Sequence, residues 1–292
     1  MKKIVTLLLT VVLAIVAMFS FTACGKEARN FGKDLIKYDS QLDTLTNLKN
    51  GTIDMSIIDS VMAGYYATNG EFKDVIVVLD ELVLANEQYG IAGRKEDKAF
   101  VSKINEALIA LSNSDYQTIA GVYGLNASLC LTSSTENPLA SATDDSWDKI
   151  KTAKKIVVGY TVFAPIAYEV VDNAPTKGFD IDLAKAVVDY LNEQYSTEIV
   201  LEFQEIDWDS KESLLANGTI DIIWNGLTIT DERAANMCIS VPYLHNNQVA
   251  VITKAKAEKI ESFKDLITLF ATATIGVEGG SAGESVVLAS EK

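Results

Sequence analysis

The sequence predicts an α/β fold built from two similar halves, and three observations lead to this prediction. Short runs rich in β-branched residues alternate with segments whose apolar residues recur at helical spacing, as in proteins with largely parallel sheets. A five-residue motif, NGTID, occurs twice, at residues 50–54 and 217–221. The chain of 292 residues is long enough for two lobes of ordinary domain size.

Seven β-rich runs are expected to form strands, and they alternate with helical patterns at residues 95–111 and 179–195. Residues 132–145 (TSSTENPLASATDD) are polar, rich in Ser and Thr, and contain Pro138, which is typical of a flexible linker. The expected strands are residues 53–58, 75–79, 156–159, 199–203, 220–224, 249–252 and 274–277.

Both copies of the NGTID motif stand in the same local context. Each follows a Leu-rich helical segment (LTNLKNGTID and ESLLANGTID) and leads into an apolar run. The glycine provides the left-handed cap that ends a helix, and the isoleucine starts a buried strand. A five-residue identity also arises by chance, but the shared context favours two similar lobes, each placing the carboxyl end of a strand at a common crevice.

The amino terminus has the pattern of a secretory signal, because Lys2 and Lys3 precede an apolar stretch at residues 4–21. This stretch is close to the roughly 18 residues of a membrane span, so a transmembrane anchor is the alternative. It ends in Phe-Thr-Ala-Cys, which resembles a bacterial lipobox with Phe21 in the position usually taken by Leu. The resemblance implies removal of residues 1–23, diacylation of Cys24 and attachment to the membrane.

The composition excludes several classes of function. A net charge of −15 without a basic stripe argues against nucleic acid or anionic lipid as a partner. Because His245 is the single histidine and no Cys-x-x-Cys occurs, we expect no metal site, no cofactor and no His-based catalytic triad. Besides Cys24, Cys130 and Cys238 remain, and either a disulfide or two buried thiols is compatible with the sequence.

Several segments carry a family resemblance. Residues 217–244 contain the most specific motif, TITDER at 228–233, and the others are 157–170 (VVGYTVFAPIAYEV), 177–191 (KGFDIDLAKAVVDYL) and 274–287 (TIGVEGGSAGESVV). Together, residues 148–287 resemble the first part of the family-3 amino-acid-binding proteins of ABC importers. Residues 31–125 resemble the remainder of that family, through residues 54–66, 86–97 and 103–124.

The two parts occur in the inverse of the family order. In the family, the segment matching GSAGES continues into the one matching FGKDLIKYDS, whereas here the first part ends at Lys292 and the second begins near Ala28. We therefore interpret the chain as a circular permutation, in which residues 133–145 join the old ends. Permutation is tolerated where old and new termini lie close together on the surface. A fragment of a tandem array or a misassembled gene is the alternative.

The resemblance implies a two-lobed periplasmic-binding-protein fold of type II, with hinge crossovers near residues 87–90 and 245–249 that close the lobes on a ligand. The implied protein is a monomeric, exported receptor at the outer face of the cytoplasmic membrane or in the periplasm. It binds a free amino acid in the inter-lobe cleft, delivers it to an ABC transporter permease, and is not an enzyme. The large lobe would comprise residues 91–132 and 146–245, and the small lobe residues 28–86 and 249–292.

A free amino acid presents a carboxylate and an ammonium group, and each needs a partner when it is buried. Arg233 matches the family's carboxylate-binding arginine, whose guanidinium can hold both oxygens. In isolation, Arg233 would be interpreted as a surface residue at a helix start. The resemblance assigns the Gly226 carbonyl to the ammonium, and the backbone and hydroxyl of Thr228 to the carboxylate.

Asp59 and Ser281 are the corresponding residues of the small lobe. Asp59 ends the apolar strand MSIID and matches the aspartate that pairs with the α-ammonium, although a cap on the following helix is the alternative. Ser281, in the Gly-rich turn at residues 279–283, is expected to donate to the carboxylate from a helix N-terminus. A nucleotide-binding loop is disfavoured because no Gly-Lys-Ser/Thr follows.

Aromatic and acidic residues complete the expected site. Phe163 and Trp208 match two positions that enclose the carbon skeleton of the ligand, whereas Trp224 lies inside a strand and is expected in the core. Tyr160 stands where several relatives carry an aspartate that reads a basic side chain. A neutral or polar amino acid is therefore favoured, with Glu278 partly restoring a preference for a basic one.

Two other functional classes are less consistent with the sequence. An enzyme on this fold, such as a periplasmic dehydratase, needs a positioned acid or base, but the acidic residues are explained by ligand pairing or surface charge. A sensory ectodomain would need a second transmembrane segment or a signalling domain, and the sequence has the pattern of neither.

Overall fold

The structure, a computed structural model, describes residues 29–288. The predicted signal sequence, Cys24 and Lys292 lie outside the described residues. Within residues 29–288, no helix is both long enough and apolar enough to cross a membrane. The chain forms two compact units: unit 1 comprises residues 29–86 and 247–288, and unit 2 comprises residues 87–246.

The described residues form an α/β fold, as predicted. The strands are β1 (Asp34–Tyr38), β2 (Met55–Asp59), β3 (Ile76–Arg94), β4 (Lys155–Tyr160), β5 (Tyr168–Val171), β6 (Ala174–Lys177), β7 (Val200–Glu205), β8 (Ile222–Thr228), β9 (Met237–Ile239), β10 (Leu244–Thr253) and β11 (Thr274–Glu278). The helices are α1 (Gln41–Lys49), α2 (Ser60–Thr68), α3 (Lys98–Leu111), α4 (Asp115–Tyr123), α5 (Ser146–Ala153), α6 (Phe179–Tyr195), α7 (Lys211–Ala216), α8 (Asp231–Asn236), α9 (Lys254–Ala257), α10 (Phe263–Thr272) and α11 (Ala282–Val287).

The sheet of unit 2 has the strand order β7-β4-β8-β3. β4 pairs in parallel with both β7 and β8, and β3 pairs antiparallel with β8 and with β9. The three parallel strands follow one another along the chain, with α6 between β4 and β7 and α7 between β7 and β8. Their carboxyl ends therefore lie at one edge of the sheet.

The sheet of unit 1 has the strand order β1-β11-β2-β10. β11 pairs in parallel with both β1 and β2, and β10 pairs antiparallel with β2. The middle strand, β11, is the last strand of the chain, whereas its neighbours β1 and β2 are the first two. The two units therefore share one plan of strand directions. Only in unit 2 do the three parallel strands follow in chain order, with the β5–β6 hairpin between β4 and β7.

The NGTID motifs occupy equivalent places in these two plans, because the first precedes β2 and the second precedes β8. Gly51 and Gly218 have φ angles of +78° and +80°. Gly51 N donates to Leu48 O at 3.1 Å, and Gly218 N donates to Leu215 O at 3.2 Å. The predicted left-handed helix cap is confirmed in both copies.

The cores of the units follow the expected periodicities. In unit 1, alternate residues of the strands pack against Phe270 of α10, among them Met55 and Ile57 of β2 and Ile275 and Val277 of β11. In unit 2, one cluster of buried residues contains Trp208, Leu215, Ile220, Ile223 and Leu227. These clusters fix the strands whose ends carry the functional side chains.

All seven predicted strands and both predicted helices are found, and α6 has the predicted bounds. The sequence did not reveal β1, β5, β6 and β9, nor the full length of β3, which has 19 residues. β5 and β6 form a two-stranded hairpin on the surface of unit 2, where Val170 and Val171 are exposed. A strand with apolar residues on its exposed side lacks the alternation on which strand prediction depends.

The predicted linker at residues 132–145 contains neither helix nor strand. It is nevertheless held against α3, because Asn137 Nδ2 donates to Ser102 O at 3.0 Å and Ala99 N donates to Asp144 Oδ2 at 2.9 Å. Its backbone therefore follows a defined path along the helix.

Cys130 and Cys238 are free thiols. Burial raises the pKa of Cys130 to about 12 and that of Cys238 to about 11. Because the thiolate is the reactive form, both thiols are expected to be unreactive; Cys238 is buried and Cys130 is half-buried.

Candidate functional site

Arg233 lies at the carboxyl end of β8, on the short helix α8. Thr230 caps this helix, since its hydroxyl accepts from Arg233 N at 3.1 Å. The guanidinium group of Arg233 donates from Nη1 to Thr228 O at 2.8 Å. Arg233 is only 8% exposed, which is inconsistent with the alternative of an ordinary surface arginine. The structure thus brings Arg233 and Thr228, two of the predicted site residues, together.

Gly226 lies two residues before Thr228 and has a φ of +64°, in the left-handed region that favours glycine. A Cβ atom added there would lie 2.8 Å from Phe163 Cε1 and 3.1 Å from Tyr89 Cε2. Gly226 therefore permits both the turn and the close approach of two aromatic rings. Phe163, predicted as an aromatic wall, lies directly against this turn.

The backbone of Gly226 is held by Asp180, a residue that sequence reasoning did not assign to the site. Gly226 N donates to Asp180 Oδ2 at 2.8 Å, and the Tyr243 hydroxyl donates to the same oxygen at 2.8 Å. Burial raises the pKa of Asp180 to about 7, and the hydrogen bonds from Tyr243 and Gly226 act in the opposite direction. An acidic residue in the first turn of a helix is usually explained by the helix dipole, and this hid the role of Asp180.

Glu87, at the start of unit 2, is a second residue that the sequence did not assign to the site. Its Oε2 accepts from Thr228 Oγ1 at 3.1 Å and from Asn246 Nδ2 at 2.9 Å. The hydroxyl of Thr228, which the resemblance assigns to the ligand carboxylate, thus already meets a carboxylate of the protein.

Three further aromatic residues of unit 2, namely Trp208, Trp224 and Tyr160, are buried in different surroundings. Trp208 packs in the hydrophobic cluster behind the sheet, and Lys211 Nζ lies 4.9 Å from its ring centroid. Trp224 is 1% exposed, which confirms the predicted core position. Tyr160 is also buried and donates from its hydroxyl to Asn173 O at 3.3 Å. Of the two predicted ligand walls, Phe163 is therefore the one that the structure places at the Gly226 turn.

Asp59 is a predicted site residue in unit 1, and it lies at the carboxyl end of β2. It precedes α2 but makes no side-chain cap, so the alternative role of helix cap is not observed. Its Oδ1 accepts from Gln248 Nε2 at 3.0 Å, its Oδ2 accepts from Gln41 Nε2, and its backbone N donates to Gln41 Oε1 at 3.0 Å. Two amides thus orient a buried carboxylate.

Ser281 lies near the same group of side chains. It caps α11, with its hydroxyl accepting from Glu284 N at 3.1 Å. A Cβ atom added at Gly283 would lie 3.0 Å from Gln248 Oε1 and 3.4 Å from Ser281 Oγ. The structure therefore brings Ser281 close to the amide that holds Asp59.

Glu278 ends β11, next to the ends of β1 and β2 in the sheet of unit 1. It is 4% exposed. Within residues 29–288, no cluster of three or more His, Cys, Asp or Glu residues has an arrangement that would hold a metal ion.

Comparison with known proteins gives one family match. Residues 156–283 match the family described as bacterial extracellular solute-binding proteins, family 3. A probable histidine-binding protein of Neisseria gonorrhoeae is 36% identical over 123 residues, which are 42% of this chain and 41% of that protein. The arginine-binding extracellular protein ArtP of Bacillus subtilis is 33% identical over 45% of this chain and 46% of its own. A glutamine-binding protein of Geobacillus stearothermophilus is 31% identical over 43% and 47%, respectively.

The matching segment thus spans less than half the length of each of these relatives. The α/β architecture is the predicted one, and residues 156–283 carry the resemblance to the family-3 solute-binding proteins. These relatives are named as binding proteins for amino acids, not as enzymes.

Replacement of Gly226 by alanine tests the geometry of the turn. A methyl group would force apart Phe163 and Tyr89 and strain a left-handed residue, so we expect Gly226→Ala to lower the free energy of unfolding by about 1 to 3 kcal/mol. Gly121→Ala is the matched control, because Gly121 lies in α4 and its added Cβ would meet no atom closer than 3.6 Å. Urea unfolding should show unchanged or higher stability for Gly121→Ala, since alanine favours the helix. Equal stability of the two variants would contradict the tight packing at Gly226.

Proposed function

We propose that this chain, which carries the domain of the family-3 extracellular solute-binding proteins in residues 156–283, binds a free amino acid and delivers it to an ABC importer. The observation that carries the proposal is the buried group at the carboxyl end of β8. There, Arg233, Thr228, Gly226 and Phe163 meet within the segment that matches the family.

Unit 2 supplies the groups suited to the carboxylate of an amino acid. A guanidinium group holds two oxygens through parallel hydrogen bonds, and the bond from Arg233 to Thr228 O fixes its direction. The Thr228 hydroxyl adds a donor to the ligand carboxylate when its hydrogen bond to Glu87 is broken. Phe163 provides an apolar surface beside these polar groups, as is common in small-molecule sites.

Unit 1 supplies the group suited to the ammonium. Asp59 accepts hydrogen bonds from Gln41 and Gln248, and such bonds favour the ionised form of a carboxylate. The amides orient the carboxylate without neutralising its charge. Ser281, beside Gln248, is the proposed second contact of the ligand in this unit.

We further propose that the ligand is neutral or polar. The buried hydroxyl of Tyr160 stands where several relatives carry an acidic residue, although Glu278 would favour a basic side chain. The relatives named above are histidine-, arginine- and glutamine-binding proteins, so the amino acid itself is decided by experiment. Mass spectrometry of the fraction that stays bound after incubation with all twenty amino acids would identify it.

Removal of either charge partner tests the proposed recognition. Arg233→Ala and Asp59→Asn should each weaken binding by about 30-fold to several thousand-fold, since truncating one member of a buried charge pair costs about 2 to 5 kcal/mol. Calorimetry with the amino acid found by mass spectrometry gives the affinities, and circular dichroism verifies the fold. Lys185→Ala and Asp148→Asn are the controls, because both residues form exposed ion pairs and should change binding little. Wild-type affinity in either test variant would refute the role given to that residue.

We also propose that the chain is a circular permutation of the family order. In unit 1, the strands β11, β1 and β2 would be consecutive, like β4, β7 and β8, if the chain ran from residue 288 to residue 29. Arg29 and Leu288 form an antiparallel bridge, and Asn30 N donates to Val287 O at 2.7 Å. The two ends of the described chain thus meet in unit 1, as a permutation requires.

Restoring the family order tests the permutation. A chain that starts at residue 139, passes from residue 292 to residue 25 and ends at residue 137 should fold as a monomer. We expect its free energy of unfolding to stay within about 1 kcal/mol of the parent, because the new opening lies in a loop. A chain opened inside α6, between residues 187 and 188, is the control and should not fold. Aggregation of the restored chain, or a parent protein that is dimeric by light scattering, would contradict the proposal.

We propose that the protein is a lipoprotein anchored through Cys24, on the basis of the Phe-Thr-Ala-Cys sequence after an apolar stretch. Cys24→Ser should release the protein from the membrane fraction or block its maturation, while Cys130→Ser should leave both unchanged. Fractionation and immunoblotting measure the outcome. Correct signal cleavage together with unchanged membrane retention of Cys24→Ser would refute the anchor.

A further inference from the structure

We propose that Asp180 is the positioning residue of the ligand-binding turn at Gly226, and that ionisation of its carboxyl group controls ligand affinity. The inference rests on the proposed amino-acid-binding function, because it takes Gly226 as part of the binding site. It adds a dependence on pH near neutrality that the ligand contacts alone do not predict.

The geometry at Asp180 is unusual for a helix-terminal acid. Asp180 is the second residue of α6 and is 1% exposed. Its Oδ2 takes both hydrogen bonds, from Gly226 N and from the Tyr243 hydroxyl, each at 2.8 Å. Its Oδ1 is buried and has no hydrogen-bond partner among residues 29–288. Only Oδ2 of the carboxyl group therefore contacts the turn.

This arrangement holds the turn at the backbone N–H of Gly226. Gly226 has a φ of +64°, and the rings of Phe163 and Tyr89 lie so close to it that no side chain would fit. The bond from Gly226 N to Asp180 sets the plane of the peptide group that precedes Gly226. The direction of the Gly226 carbonyl, the proposed acceptor of the ligand ammonium, depends on that plane.

The protonation state changes the strength of this bond. An ionised carboxylate makes hydrogen bonds roughly twice as strong as those of a neutral acceptor. When Asp180 is protonated, its proton belongs on Oδ1, which has no partner, and Oδ2 accepts as a neutral carbonyl oxygen. Because the pKa of Asp180 is raised to about 7, ligand affinity should rise as the pH rises through neutrality.

The stability of the fold should change in the opposite direction. The pKa of Asp180 is higher in the folded protein than the ordinary value of about 3.9, so the folded state favours the protonated form. Its contribution to stability is fully present below about pH 4 and is lost as the pH rises through about 7. A group that served only the fold would not strengthen binding while it weakened stability.

The groups that face Asp180 do not titrate near pH 7. Burial and the proximity of Asp180 raise the pKa of Tyr243 well above its usual value. Tyr116, on α4, donates its hydroxyl to Tyr243 O, and burial raises its pKa to about 12. Within residues 29–288, no Lys, Arg or His side chain contributes to the pKa of Asp180. Histidine commonly changes charge in this range, and His245 is exposed. Every protein in the two tests below therefore carries His245→Gln, and the protein with this change alone is called the parent.

The first test follows the amide of Gly226 without any ligand. In ¹⁵N-labelled His245→Gln protein, its NMR signal should titrate with a midpoint near the pKa of about 7. The midpoint should move upward in Tyr243→Phe, which loses a hydrogen bond to the carboxylate. The titration should be absent in Asp180→Asn and retained in Asp182→Asn. Asp182 is the matched control, because it lies on the same helix and accepts from the Tyr123 hydroxyl at 2.6 Å but is partly exposed. A Gly226 amide that titrates equally in Asp180→Asn would overturn the proposal.

The second test measures binding of L-glutamine and L-arginine by calorimetry between about pH 6 and pH 8, a range over which both keep their charges. A hydrogen bond to a charged rather than a neutral acceptor is worth about tenfold in affinity. Because a group with a pKa of about 7 is only partly converted between pH 6 and pH 8, the affinity of the parent should rise about fivefold over this range. Asp180→Asn should bind with the same affinity at all pH values, close to that of the parent at pH 6. A parental pH profile in Asp180→Asn would overturn the proposal. If the parent binds neither probe, the proposed function loses its support, and the amide titration alone decides the role of Asp180.

Discussion

The left-handed turn at Gly226 is the constraint on which the arrangement of unit 2 depends. The turn lies within the central strand β8, two residues before its end, and has room for no side chain, since Phe163 and Tyr89 already lie against it. Its backbone is held from within by Asp180, and the chain then continues to Thr228 and Arg233. Each of these residues can act on a ligand only if the turn keeps its shape. A buried carboxyl group in the first turn of α6 is thus part of the site, although it need not touch the ligand.

The shared strand plan of the two units explains how a chain could tolerate the permuted order of segments that we propose. A sheet depends on which strands are neighbours and on their directions, and both are the same whether β11 precedes β1 or follows it by the whole chain. What the order changes is the entropy of bringing the segments together, and this grows only slowly with the length of the intervening chain. The bridge between Arg29 and Leu288 closes unit 1 without a covalent link at that point.

The sequence predicted those parts of the structure that depend on local patterns. The helix caps at Gly51 and Gly218 and the bounds of α6 follow from short-range rules. The family resemblance pointed to Arg233, Thr228 and Gly226, which lie in β8 and in the helix that follows it. The roles of Asp180 and Glu87 were not predictable in this way, because burial and hydrogen bonding across 46 and 141 residues of sequence decide them. Trp208 was expected at the ligand from the family resemblance; it packs in a hydrophobic cluster, and its contact with a ligand stays a prediction.

The hydrogen-bond donors to the buried carboxylates of Asp180, at the start of α6, and Asp59, at the end of β2, have one physical consequence. Asp180 takes its hydrogen bonds from a backbone amide and a phenol, and Asp59 takes hydrogen bonds from two glutamine amides. Such donors orient a carboxylate but carry no net charge, so they do not cancel its field as a lysine or arginine would. In surroundings of low dielectric constant, that field acts over several ångströms and favours a cation. Asp59 is therefore suited to the ammonium of an amino acid. Asp180 is fully enclosed, so its negative charge can be neutralised only by a proton. Neutral donors thus suit one carboxylate to the proposed ligand and the other to the proposed titration, and the difference is whether a cation can reach the carboxylate.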